Sequence, residues 1–234
     1  MSGRYFHIIE DDLRYVLLDM DGTLLDRQFD DYFWQRLLPE HYARRNNLSF
    51  EEARRDLLAR FRREEGTLRW TDLDYWSENL GIDIPALKEQ MKHLIDVHPN
   101  VIPFLSAMKH LGKKVVLVTN AHYKVLDIKL KRTELGPYLD LVVTSGELGY
   151  PKEDMAFWQM LSRRLEPGYQ EKSILVDDTE AVLRTARAFG IRHVIFKDGA
   201  NSSMPHSGSE EFTHISDFND LMPGGDESDD FDEF

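Results

Sequence analysis

The chain has 234 residues, 41% hydrophobic and 30% charged, with 29 Lys and Arg against 42 Asp and Glu and a formal net charge of -13. This length is enough for one sizeable core and a small second one, the charge excludes a general nucleic-acid backbone binder, and the lack of cysteine excludes a disulfide framework or a thiolate metal site. No apolar run approaches the roughly 18 residues of a membrane span and Met1 to Arg14 is too polar for a signal peptide, so no membrane partner is expected and the expected location is the cytoplasm.

The first predicted element lies in Tyr15 to Leu25, Y-V-L-L-D-M-D-G-T-L-L. Val16, Leu17 and Leu18 suit a strand buried on both faces, and the run ends in Asp19, Met20, Asp21, Gly22 and Thr23. Two carboxylates at the end of a buried strand are unfavourable unless they bind something. A divalent cation would compensate for them and would let one of them attack a phosphoryl group.

Phe29 to Val97 reads as helical, with segments Tyr32 to Arg45, Ser49 to Glu65, Thr71 to Leu80 and Ile84 to Val97. Ser49 and Glu52 have capping-box spacing, Pro39 should kink or divide the first helix, and Gly66 and Gly81 separate later ones. Residues 28–97 are therefore expected to form a helical cap inserted after the first strand. Its aromatic residues Tyr32, Phe33, Trp34, Trp70, Tyr75 and Trp76 suit either stacking on a flat ligand or the cap's own core.

From Pro99 onward helices alternate with short apolar strands: Val115 to Val118, Leu141 to Val143, Ile174 to Val176 and His193 to Phe196, with helices at Val101 to Leu111, Tyr123 to Glu134, Asp154 to Leu165 and Glu180 to Phe189. This alternation predicts an α/β fold with a Rossmann-like, doubly wound parallel sheet, its core formed by residues 1–27 and 98–222. Gly199 to Glu211 reads as a loop, with a short helix after Ser216. Residues 223–234, with Asp226, Glu227, Asp229, Asp230, Asp232 and Glu233 among them, lack the apolar residues to fold. Asp19, Thr119 and Asp177 each follow a predicted strand, and in such a sheet the ligand crevice lies beyond the strands' carboxyl ends.

With D-x-D-G-T at Asp19, a strand-terminal Thr119, Lys152 in G-Y-P-K-E-D and the pair Asp177 and Asp178, in that order, the chain resembles the haloacid-dehalogenase-like hydrolase superfamily from Val16 to about Phe196. It is similar in particular to the bacterial GMP/IMP 5'-nucleotidase branch through L-L-D-M-D-G-T-L-L-D, Y-F-W-Q, D-Y-W-S-E, T-N-A-H and G-Y-P-K-E-D. The resemblance implies a phosphomonoesterase in which Asp19 is the nucleophile, Asp21 the general acid and base, and Lys152 the compensating cation. Thr119 and Asn120 would hold phosphoryl oxygens, and Asp19, the Asp21 carbonyl and Asp177 would ligate Mg²⁺, with Asp178 acting behind them. Trp34 and Trp76 are the cap residues expected to bind a purine nucleotide, the implied partner. Asp21 argues against the dehalogenating members, since a halide leaves without a proton. A phosphatase for another small metabolite, such as a sugar phosphate, is the nearby alternative. A signalling phospho-acceptor is disfavoured by the motif order, which puts the acceptor Asp first and the acidic pair last.

Overall fold

The computed structural model describes residues 5–9, 12–206 and 208–222. The expectation for the tail, 223–234, lies outside them. Six parallel strands form one sheet in the order β3-β2-β1-β4-β5-β6: β1 Tyr15–Leu18, β2 Lys114–Thr119, β3 Leu141–Thr144, β4 Ser173–Asp177, β5 His193–Lys197 and β6 His214–Ile215. β1 is central, with Val16 level with Val115 on one side and Ile174 on the other.

The short apolar strands of the sequence are those of a sheet covered on both faces. Val16, Leu18, Val115, Leu117, Ile174 and Val176 point into one core, while Leu17, Val116, Val118 and Leu175 point into the other. Helices α6 Val101–His110 and α7 Tyr123–Thr133 cover the first face, and α9 Met155–Leu161 and α10 Glu180–Phe189 the second. A four-residue helix, α8 Ser145–Leu148, follows β3. Strand β6, two residues long, lies between the loop predicted to end at Glu211 and the helix predicted after Ser216, where the sequence predicts no element because a Ser- and Gly-rich approach hides a pairing this short. The turn Phe218–Leu221 is the short helix expected after Ser216.

The insert is helical. Helix α1 Gln28–Tyr32 passes through a π-helical turn, Phe33–Leu37, into α2 Leu38–Asn46. The widened turn lies just before Pro39, which has no N–H to donate and whose ring would crowd the carbonyl four residues back. Helix α3 Phe50–Glu64 begins with the capping box expected from Ser49 and Glu52, whose side chains and backbone N–H groups bond reciprocally. Next come α4 Leu73–Leu80 and α5 Ile84–Gln90. The sequence extends this last helix to Val97. The chain leaves helical geometry earlier because residues 95–98 form the return path to the sheet. There Leu25 bridges Val97 in antiparallel fashion, the Asp26 N–H donates to the Asp96 carbonyl at 2.9 Å, and the His98 N–H donates to the Leu24 carbonyl at 3.0 Å. The insert thus leaves and rejoins the core through two paired linkers. Among the described residues, no helix is long and apolar enough to cross a membrane.

Candidate active site

Asp19 directly follows β1, and its N–H donates to the Val176 carbonyl at 3.1 Å, extending the strand ladder by one residue. Thr119 and Asp177 end the flanking strands β2 and β4. The topology thereby brings residues up to 158 positions apart to one edge of the sheet, beside the point where strand order reverses. Gly22 completes the turn at a φ of +90°; a Cβ there would lie 2.3 Å from Asp178 Oδ2, so both backbone conformation and space require glycine.

Lys152 is the electrostatic centre of this edge. Its ammonium, 3% exposed, donates to Asp19 Oδ1 at 2.5 Å and to Asp177 Oδ2 at 2.7 Å. The loop that carries it is fixed twice: Trp158 Nε1 donates to the Lys152 carbonyl at 2.8 Å, and the Lys152 N–H donates to Asn120 Oδ1 at 2.9 Å. Asn120 Nδ2 donates in turn to Glu153 at 2.9 Å. The Asn120 side chain therefore ties the Thr119 loop to the Lys152 loop, which leaves its main-chain amide as the group better suited to an oxyanion. Thr119 Oγ1 accepts from the Ala121 N–H at 3.0 Å, and its own hydrogen can still be donated.

Oxygen atoms of Asp19, Asp177 and Asp178 lie within 4.8 Å of one another. Burial pushes Asp19 up to about 7 against the pull of Lys152, with Asp177 and Asp21 adding repulsion. Burial likewise pushes Asp178 to about 7 and Asp177 to about 6. Arg27 Nη1 donates to Asp178 Oδ2 at 3.0 Å, so Lys152 and Arg27 face three acids. An all-oxygen, partly uncompensated donor set of this kind fits a hard divalent cation. Asp178 joins the cluster directly, whereas the sequence placed it behind the ligands. The Asp21 carboxylate lies outside the cluster, which leaves that residue's main-chain carbonyl as the group that could face a metal.

Because the acids hold protons near neutrality and a cation must expel them, the affinity of the protein for Mg²⁺ should tighten with pH by about tenfold per pH unit for each proton expelled, more steeply near pH 5.5 than near pH 7.5. Calorimetry in two buffers of different ionisation heat should show proton release. A dissociation constant independent of pH over that window contradicts the cluster as the metal site.

The Asp21 carboxylate instead accepts from Lys129 Nζ at 2.6 Å. Burial pushes Asp21 upward while Lys129 opposes it. Lys129 also donates to Asp30 at 2.6 Å, and Asp30 accepts from Lys88 at 2.6 Å. Burial would raise Asp30, but the two ammonium groups outweigh it and hold Asp30 well below the usual carboxylate range. Asp30 on α1 and Lys88 on α5 belong to the insert, Asp21 and Lys129 to the core, so this buried chain of charges joins the two. Sequence reading missed Asp30, Lys88 and Lys129. A second cross-contact is more exposed: Lys124 reaches Asp74 at 2.5 Å, and His122 lies 3.6 Å from Asp72.

Between insert and sheet edge lies a cleft of about 360 Å³, within the range of small-molecule sites. Asp19, Asp21, Thr119 and Lys152 line its floor, and Trp34, Phe61 and Trp70 line its wall. Trp76, expected beside Trp34, is not part of that wall. It is 1% exposed, packs edge-on against Phe61 with ring centroids 4.9 Å apart, and donates from Nε1 to the Trp70 carbonyl. It belongs to the cap's core.

Residues 13–190 match the family model of the haloacid dehalogenase-like hydrolases. The chain is 38% identical over 220 residues to the GMP/IMP nucleotidase YrfG of Escherichia coli, an alignment covering 94% of this chain and 98% of the relative. The Shigella flexneri protein of the same name matches equally. Among solved structures, an HAD phosphatase from Thermococcus onnurineus superposes with a TM-score of 0.75 at 23% identity, covering 89% of this chain and 96% of that one, which shows a shared fold.

Proposed function

Since the chain belongs to the haloacid dehalogenase-like hydrolases, we propose that it is a cytoplasmic, Mg²⁺-dependent phosphomonoesterase that hydrolyses purine nucleoside 5'-monophosphates, GMP and IMP, through an aspartyl-phosphate. The convergence of Asp19, Asp21, Thr119 and Lys152 on the floor of one aromatic-walled cleft carries this reading. The relative's name supports the choice of substrate.

In the proposed reaction Asp19 attacks phosphorus, forming an acyl-phosphate bond as the phosphorus–oxygen ester bond breaks. Asp21 gives its proton to the departing 5'-oxygen, a role suited to a carboxyl group that burial pushes upward. The Asp21 carboxylate then takes a proton from water, whose oxygen attacks phosphorus, releases inorganic phosphate and restores Asp19. Thr119 Oγ1 and main-chain N–H groups of the loop after β2 donate to the phosphoryl oxygens, and Lys152 offsets their charge. The residues that would hold Mg²⁺ are Asp19, Asp177, Asp178 and the Asp21 carbonyl; when bound, the ion supplies neutralising charge to the carboxylates and the phosphoryl group. Lys129 keeps the Asp21 side chain aimed from the α7 side, 2.6 Å away.

The wall of the cleft decides the leaving group. The flat faces of Trp34 and Trp70 suit a base, and stacking is worth about 1–3 kcal/mol. With Mg²⁺ present, kcat/KM for GMP and IMP should exceed that for AMP, pyrimidine monophosphates and hexose phosphates by at least about tenfold. A hexose phosphate that outperforms both GMP and IMP overturns the nucleotidase reading and leaves the phosphatase intact.

A further inference from the structure

Lys88 lies on α5, facing the cleft, 1% exposed. Its ammonium has Asp30 Oδ1, at 2.6 Å, as its one hydrogen-bond acceptor among the described residues. The rings of Phe29, Phe33 and Trp34 surround it at 4.8, 4.3 and 5.3 Å; they attract the cation but offer no oxygen. An ammonium with three N–H groups, buried and lining a ligand-sized cleft, lacks acceptors that a ligand could bring.

The surroundings restrict what that ligand group can be. Lys88 and Lys129 face Asp30 and Asp21, so the local charges already cancel, and a second anionic group gains little there. The adjoining wall of Trp34, Phe61 and Trp70 is flat and apolar. What remains is a neutral, planar polar edge with an acceptor for Lys88 beside a donor for Asp30, whose side chain keeps 18% exposure and unused lone pairs.

Building on the nucleotidase reading, we propose that the Lys88–Asp30 pair is the specificity determinant for 6-oxopurines, with Lys88 donating to O6 and Asp30 accepting from N1–H of guanine or hypoxanthine. Adenine presents the reverse pattern, an amino donor toward Lys88 and a bare N1 toward Asp30, which sets donor against donor and lone pair against carboxylate and leaves the remaining Lys88 N–H groups without an acceptor. Lys129 holds the far oxygen of Asp30 at 2.6 Å and so fixes the pair relative to Asp21.

The test compares IMP with purine riboside 5'-monophosphate, the same nucleotide without O6 and without the N1 proton, in the wild type and in Lys88→Met. Wild type should prefer IMP by at least about 10- to 100-fold in kcat/KM, the range of a charge-assisted hydrogen bond, and in Lys88→Met the ratio should fall about tenfold or more, the remaining preference being the Asp30 contact with N1–H. A general folding defect lowers both substrates together and cannot produce that collapse. A wild type that turns over IMP but does not distinguish the two nucleotides overturns the inference without any variant, as does a preference that is undiminished in Lys88→Met. If the wild type hydrolyses hexose phosphates better than any purine nucleotide, the nucleotidase reading and this inference fall together.

Discussion

Asp19→Asn should lower turnover by on the order of 10⁶-fold, the scale of loss when a covalent nucleophile is removed. No aspartyl-phosphate should be trappable from it. Asparagine has nearly the same shape, and Lys152 keeps its 2.7 Å contact with Asp177, so melting temperature should change little. Asp21→Asn should behave differently. General acid–base catalysis contributes about 10²- to 10⁴-fold, so nucleotide turnover should fall by that amount. With p-nitrophenyl phosphate, whose leaving group departs without a proton, phosphorylation of Asp19 should continue while attack by water stalls. A burst of p-nitrophenol equal to the enzyme concentration should follow, with radiolabelled phosphate held on the protein. Substantial steady turnover by Asp19→Asn contradicts the assignment of the nucleophile.

Lys152→Met should remove both activity and stability, and the stability loss should depend on pH. Taking one partner from a buried ion pair costs about 3–5 kcal/mol, and here a single ammonium serves Asp19 and Asp177, both almost fully buried. Even with Lys152 present, burial holds these carboxyls at about 7 and about 6 when folded, above the ordinary 3.8. Without it they rise further. A group whose folded value is raised favours the fold at pH below its unfolded value, and that contribution is lost as pH climbs through the folded value. The melting temperature of the variant should therefore fall furthest below wild type at pH 8 and come closest near pH 5, where both acids are neutral. Measured by thermal denaturation in EDTA, an equal deficit at the two pH values rules out charge compensation as the role of Lys152.

The convergence of the residues on the floor of the cleft was legible in the sequence because each of its parts is local. A strand of four to six residues ends in an acid or hydroxyl, and the parallel topology does the rest, bringing Asp19, Thr119 and Asp177 to one edge. The cap was legible as helices but not as surfaces. Trp76 falls on the stripe Leu73, Trp76 and Leu80, the buried face of α4, and that spacing marks it as core; Trp34 differs from it only through tertiary placement. The charges between cap and core had a quieter signal. Lys129 shares the buried face of α7 with Val125 and Leu126, and Lys88 that of α5 with Ile84 and Leu87. A lysine on an apolar stripe implies a buried partner, but that partner, Asp30, lies 58 and 99 residues away, beyond the reach of periodicity.

The paired linkers at 24–26 and 96–98 give the architecture an evolutionary handle. The two linkers at the base of the insert are one hydrogen bond apart, 2.9 Å from Asp26 N to Asp96 O, so to the sheet the whole cap is a surface loop closed at its base. The entropy of closing such a loop grows only logarithmically with its length. Lengthening, shortening or exchanging the insert therefore leaves β1 and β2 in register, so long as the replacement supplies Lys129 with the carboxylate that Asp30 now gives it. Substrate preference and phosphoryl chemistry can then diversify along separate lines of descent, with the first rewritten by recombination at two neighbouring points while the second is inherited whole.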